Sequence, residues 1–260
     1  MKVYSLTKTL DHLVDFYSDD KENAEVLVVG GSKINLDEFP KLKYIFKCGV
    51  GVDNIPFDEI KERGVELVMP SDDTKEKIFD EVSSFTVNSI LNAHYAGAGD
   101  METWYKKPRQ NIREKRLIVI GSKGNIGKRV VEKCKVFFDN ILEYDVGDER
   151  DVYTMISESD IVTMHVPLTD TTKRIIDMVY LKEDVILVNN SRGALVDEEK
   201  LHKFLINNTE ARATFDVFWE EPYAGKLLSL PNFIATPHIA SSSDGFVKGL
   251  YRDLCNLVGR

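Results

Sequence analysis

Short apolar runs alternate with segments of helical spacing along the whole chain. EVLVVG (25–30), YIFKCGV (44–50) and VELVM (65–69) are the right length and composition for buried strands. Between the last two, FDEIKERG places Phe57 and Ile60 three apart and ends on a glycine, which predicts a short helix. A long helical pattern begins near Ile78 and runs through FDEVSSFTVNSILNAHYAGAG, followed by a polar, basic stretch, TWYKKPRQNIREKR. A second series of strands is predicted at RLIVIG (116–121), ILEYDV (141–146), DIVTMHV (160–166), DVILVNN (184–190), ARATFDV (211–217) and FIATPH (233–238). Helical segments separate most of them, notably IGKRVVEKCKVFF and DEEKLHKFLINN, the latter with Asp197 as N-cap. Strands alternating with helices require crossover connections and so a mostly parallel sheet. Six strands in the second series fit a doubly wound nucleotide-binding domain.

Composition narrows the setting. At 260 residues, the chain fits one or two domains, and 43% apolar residues suffice for a real core. A net charge of -9 argues against non-specific binding to nucleic acid or to anionic membranes. It leaves room for a local basic pocket that takes an acidic substrate. Cys48, Cys134 and Cys255 form no CxxC pair. A disulfide framework is therefore not expected, nor a metal site, and a reducing cytoplasm is the expected compartment. The N-terminal segment MKVYSLTKTLDHLVDF lacks a signal-peptide layout, and the apolar runs are strand-sized, too short to span a membrane.

Two sets of residues point to chemistry. RLIVIG-SKGNIG-KRVV sets Gly121, Gly124 and Gly127 between a strand and a helix. A pyrophosphate needs close backbone approach and the N–H groups of a helix N-terminus. The GxxGxxG spacing is one residue longer than the usual GxGxxG. Asp145 ends the next strand at about the ~20-residue offset of a carboxylate that grips a ribose 2′-OH, which favours NAD over NADP. The second set lies at later strand ends: Arg192 in NNSRGALVDEE, Asp216, Glu220 and Glu221 in DVFWEEP, and His238 in PHIASSS. Ligands of parallel α/β sheets bind at the carboxyl ends of strands. A guanidinium matches a carboxylate bidentately, His transfers protons near neutral pH, and a neighbouring acid raises and orients that His.

CGVGVDNIP, GNIG, YDV, SDIVTMHVPLT, VNNSRGALVDEEKL, DVFWEEP and PHIASSS occur here in the order found in the D-isomer-specific 2-hydroxyacid dehydrogenases, which this sequence resembles from about Leu42 to Ser243. The resemblance implies an α/β chain of two Rossmann or flavodoxin-like domains with parallel sheets and a cofactor cleft between them. Residues 1–92 with a return helix 244–260 would bind substrate, and residues 93–243 would bind NAD. It implies hydride transfer between the nicotinamide and C2 of a small 2-hydroxy or 2-oxo acid: glycerate or hydroxypyruvate, glyoxylate, or 3-phosphoglycerate. By motif position, Arg192 resembles the substrate-binding arginine, His238 the acid/base and Glu220 its partner carboxylate. Cofactor contacts would come from Gly121, Gly124, Asn125, Ile126, Gly127, Asp145, His165, Val166, Pro167, Asn190 and Ser191. Asp216 would hold the nicotinamide carboxamide, and Ser71 stands where a cofactor-contacting Thr is usual. Val50 and Gly51 would offer N–H groups to the substrate carboxylate, and Lys47 stands where an arginine is common. The resemblance further implies a homodimer formed through the cofactor domains, by the helix from Ile78 and TWYKK. An NAD-binding scaffold or sensor with little turnover is the alternative.

Overall fold

The computed structural model describes residues 1–260. The chain forms two compact units: Met1–Ile78 with Ser241–Arg260, and Phe79–Ala240. The change of unit falls at Ile78 rather than near residue 92. The reason is packing: Ile90 and Ala93 are buried among Leu117, Val119, Ile161, Ile186 and Val188, so most of the long helix belongs with the second sheet.

The first unit holds a four-stranded parallel sheet: β1 (Val3–Ser5), β2 (Val26–Val29), β3 (Tyr44–Lys47) and β4 (Glu66–Val68), in that spatial order. The three expected strands form, somewhat shorter than their apolar runs, and β1 joins as a further edge. Helix α1 (Phe57–Glu62) sits where the Phe57/Ile60 pattern and Gly64 (φ 67°) put it. Leu27, Val29, Ile45, Leu36, Phe39 and Ile60 form the core on one face.

The long helix, α2, spans Asp72–Tyr95 and starts earlier than the apolar pattern. Its first turn carries Asp72 and Asp73, which favour a helix N-terminus, and the Oγ of Ser71 accepts from the N–H of Thr74 at 3.4 Å. The buried Ser83, Thr86 and Ser89 return their hydroxyls to the carbonyls of Asp80, Val82 and Phe85, so polar residues survive inside this helix without unmet hydrogen bonds. Two short strands, β5 (Gly99–Asp100) and β6 (Tyr105–Lys106), make an antiparallel hairpin in the basic stretch.

The second unit is built on six parallel strands: β7 (Arg116–Ile120), β8 (Asn140–Tyr144), β9 (Ile161–Met164), β10 (Ile186–Asn189), β11 (Arg212–Phe215) and β12 (Phe233–Ala235). Their spatial order is β12-β11-β10-β9-β7-β8. The chain moves outward from β7 to β8 and then returns to the other side of β7, so the direction of winding reverses between β7 and β9. That reversal is where a doubly wound sheet opens a ligand crevice. Helices α3 (Gly127–Cys134), α4 (Val152–Glu158) and α5 (Glu198–Asn207) connect the strands, with Asp197 capping α5 through the N–H of Lys200 at 3.0 Å.

The C-terminal helix, α6 (Asp244–Val258), returns to the first unit. Ser243 caps its start and Gly259, at φ 76°, ends it in the left-handed conformation. Thr74 and Ser71 at the head of α2 donate to Asp253, at 2.7 Å from the hydroxyl and 2.9 Å from the backbone N–H. Gly249 is what lets the helices meet there, since a Cβ on it would lie 2.6 Å from Thr74 Oγ1. Gly249→Val should therefore lower unfolding stability by about 1–3 kcal/mol, the usual cost of overpacking. Gly245→Ala, whose nearest neighbour is Lys77 Cδ at 3.5 Å, should not. Urea unfolding midpoints of the two variants check the contrast.

Candidate active site

At the reversal point, backbone packs directly on backbone. Gly121 follows β7 with φ 88°, and a Cβ there would fall 2.7 Å from the carbonyl carbon and oxygen of His165, just past β9. A Cβ on Gly127, the first residue of α3, would lie 2.0 Å from the carbonyl oxygen of Gly121. Only glycine fits either place. The turn between them also has a use for its extra residue. The N–H of Lys123 donates to Asp145 Oδ2 and the N–H of Val146 to Oδ1, both at 2.7 Å, so the carboxylate is held at the end of β8 facing the turn. The N–H groups of Asn125 and Ile126, just before α3, and of Gly127, its first residue, have no backbone carbonyl as partner. A glycine turn with free N–H groups at a helix start and a carboxylate held beside it fits the pyrophosphate and ribose of a dinucleotide.

The neighbouring strand ends are tied to one another. Ser191 Oγ donates to the carbonyl of Val166 at 2.7 Å, linking the segments after β10 and β9. Pro167 follows on the surface. Asn190 Nδ2 donates to Thr86 Oγ1 at 3.1 Å, which turns this side chain toward α2. His165 Nε2 lies 3.1 Å from Thr163 Oγ1. The residue is half-buried, and burial pushes its pKa down to about 3, which favours the neutral imidazole.

Arg192, Glu221 and His238 come together after β10, β11 and β12. Asn189, fully buried, accepts from the N–H of Ser191 and donates to the carbonyl of Arg192, which shapes the turn that carries the arginine. A Cβ on Gly193 would lie 2.2 Å from the carbonyl carbon of Phe218, so the glycine after the arginine lets the 218–221 loop close on it. In that loop, Glu221 Oε1 accepts from the N–H of Phe218 at 3.1 Å, and Oε2 lies 2.8 Å from His238 Nδ1. Burial raises the carboxyl of Glu221, but the hydrogen bond and charge of His238 outweigh it and hold the group below its ordinary value. For His238 the hydrogen bond to Glu221 is the largest influence and raises the ring. Burial opposes it, the charges of Glu221 and Asp216 add to it, and Arg192 pulls against it.

One expectation needs correcting. Glu220 is exposed and is not the partner of His238; the adjacent Glu221 is, because its side chain folds back across its own turn. Asp216 is fully buried, and its carboxylate accepts from Thr236, Ile239 and Ala240. In the first unit, Lys47 is buried with its Nζ donating to the carbonyl of Gly30, which ties β3 to the end of β2 and leaves the ammonium little contact with solvent. Ser71 caps α2. Val50 and Gly51 are half-buried in the loop after β3, next to Gly49 at φ 142°, with their N–H groups outside the backbone hydrogen-bond network. Sequence reasoning had no separate signal for Asn189, whose role appears only once the strand end is seen to be buried.

The pairing has a direct consequence. A raised His238 pKa keeps the imidazolium at pH values where a free histidine has lost its proton. Glu221→Gln should lower the titration midpoint of His238, followed by ring NMR, whereas Glu220→Gln should leave it in place. The opposite result would restore Glu220 as the partner.

The comparisons with known proteins agree along the chain. The D-isomer specific 2-hydroxyacid dehydrogenase NAD binding domain matches residues 91–240, and the catalytic domain of the same family matches residues 7–146. The sequence is 35% identical over 246 residues to D-3-phosphoglycerate dehydrogenase of Methanocaldococcus jannaschii, covering 86% of this chain and 47% of the relative. It therefore spans about half the length of that protein. It is 32% identical to hydroxypyruvate reductase of Thermotoga maritima, covering 84% of this chain and 78% of the relative. For glyoxylate reductase of Thermococcus litoralis the values are 30%, 83% and 72%. D-lactate dehydrogenase from Aquifex aeolicus, solved with NAD and lactic acid, shares the fold: TM-score 0.80, 22% identity, 100% of this chain and 94% of that one. The family matches run nearly end to end on a sheet whose glycine turn and strand-end residues lie in the family's order, and this chain belongs to the D-isomer specific 2-hydroxyacid dehydrogenase family.

Proposed function

We propose that the protein is an NAD-dependent dehydrogenase that interconverts a small D-2-hydroxy acid and its 2-oxo acid. The observation that carries this reading is the Glu221-paired His238 within the field of Arg192, on strand ends of a dinucleotide-type sheet. Gly121, Gly124, Asn125, Ile126 and Gly127 would hold the pyrophosphate, and Asp145 the adenosine ribose. Val166, Pro167, Asn190 and Ser191 belong to the strand ends that would flank the cofactor. Bound there, the nicotinamide supplies or accepts a hydride at C2 of the substrate.

The protein's own part is charge and proton handling. His238 uses Nδ1 for Glu221, which leaves Nε2 to give a proton to the carbonyl oxygen in reduction or take it from the hydroxyl in oxidation. Glu221 stabilises the imidazolium that each turnover requires. Arg192 pairs with the substrate carboxylate and polarises the carbonyl. The names of the relatives point to hydroxypyruvate, glyoxylate and 3-phosphohydroxypyruvate as substrates.

Loss of NADH absorbance with these three acids is the test, run in parallel with NADPH. At least one acid should be reduced, with NADH preferred. His238→Ala should lose turnover by roughly two to four orders of magnitude while still binding NADH. Asp145→Ala should narrow the preference for NADH over NADPH. NADH binding without turnover of any 2-oxo acid would instead favour an NAD-binding scaffold.

We further infer a homodimer through the second unit. Met101, Trp104 and Tyr105 stand 79%, 70% and 59% exposed on and beside the β5–β6 hairpin, an apolar group that a second copy would cover. Sedimentation velocity at micromolar concentration should give a dimer, and Trp104→Glu a monomer; a monomeric parent protein refutes the assignment.

A further inference from the structure

The segment that leaves β8 holds an arginine closed on an acid. It begins with a tight turn, Asp145, Val146, Gly147 and Asp148, in which the N–H of Asp148 donates to the carbonyl of Asp145 at 3.1 Å. Gly147 stands at φ 86°, the value that a type II turn requires of its third residue. The turn therefore sets two carboxylates at its two ends. Asp145 is occupied by the N–H groups of Lys123 and Val146. Asp148 is occupied by Arg150. Its Oδ1 accepts from Nε of Arg150 at 2.9 Å and from the backbone N–H of the same residue at 3.0 Å, and its Oδ2 accepts from Nη2 at 2.6 Å. Nη2 also donates to the carbonyl of Glu143, on the edge strand β8, at 2.6 Å. The guanidinium fork is thus filled by acceptors of its own segment, although the arginine side chain is 56% exposed.

An arginine near the strand end that meets the adenosine ribose is the group by which a dinucleotide sheet accommodates a 2′-phosphate. Arg150 is such a group, but its bidentate face is already taken. We propose that Asp148 is a specificity-determining residue: by holding the guanidinium of Arg150 it masks a 2′-phosphate site, so that NADPH is disfavoured twice, by the charge of Asp145 and by the withholding of the arginine. A phosphate entering here has to displace a carboxylate that sits in the fork and shares its turn. Lys123, on the glycine turn, is a second cation whose charge acts on Asp148, and Glu143 adds a negative charge beside Arg150. The proposal rests on the placing of NAD at the glycine turn, and its test separates the two.

The experiment titrates full-length protein with NADH and with NADPH, read by nicotinamide fluorescence. Asp148→Asn keeps an oxygen for the backbone N–H of Arg150 and removes the charge that holds the guanidinium. It should strengthen NADPH binding by about tenfold, the size of one charge-assisted hydrogen bond, and leave NADH within about twofold. Arg150→Gln alone should leave both affinities near those of the parent, because the arginine it removes is masked. Asp148→Asn/Arg150→Gln should lose the gain.

An equal gain for NADPH in the double variant would overturn the proposal, because loss of a negative charge would then account for it without the arginine. No gain in Asp148→Asn, or an equal gain for NADH, would overturn it as well. If the parent protein binds neither nicotinamide, the dinucleotide reading fails. Calorimetry of the three variants with adenosine 2′,5′-bisphosphate then decides whether Asp148 masks a phosphate site, by the same pattern of gain and loss.

Discussion

The site depends on backbone being allowed to touch backbone. At the reversal point Gly121 lies against the main chain of His165, and Gly127 lies against Gly121. After β10, Gly193 lies against Phe218. Each contact is closer than any side chain permits. The first two seat the start of α3 and the end of β7 against the segment after β9. The third draws an acidic loop onto an arginine. Parallel strands supply the common edge, and the glycines set how tightly the loops beyond that edge converge.

Within that frame the electrostatics are balanced by opposing influences on one ring. Burial and the Arg192 guanidinium disfavour the imidazolium, while Glu221 and Asp216 favour it, and the carboxylates prevail. His165, a few residues past the reversal point, has no carboxylate beside it and burial decides the outcome. Two histidines on the same edge of one sheet are thus pushed in opposite directions, and the difference comes from the loops that surround them rather than from the strands that carry them.

The sheet was legible in the sequence because buried parallel strands read as continuous apolar runs. EVLVVG, YIFKCGV and RLIVIG needed only their ends trimmed. The start of α2 was less so: Ser71, Asp72 and Asp73 form a helix-start signal, but the apolar stripe that draws the eye begins only at Ile78. The β5–β6 hairpin has two residues per strand, too few for any alternation to register. At the site, Arg192 and His238 were legible from their motifs, whereas WEEP offers two adjacent acids and no means of choosing. The choice is made by the turn, which folds Glu221 back onto the N–H of Phe218 and leaves Glu220 in solvent. The burial of Asp216 was equally invisible, because nothing in DVFWEEP marks the three donors, Thr236, Ile239 and Ala240, that its carboxylate meets some twenty residues later.

The attachment of α6 to the first unit has a consequence for how the protein is made. The second unit is one uninterrupted stretch, Phe79–Ala240, while the first is interrupted by all of it. Asp253 and Gly249, which secure the head of α2, are translated only after every strand of the six-stranded sheet has left the ribosome. Chains that emerge from the N-terminus ordinarily complete their first domain first. Here the order is inverted: the first unit receives its last helix only after the whole of the second has been synthesised.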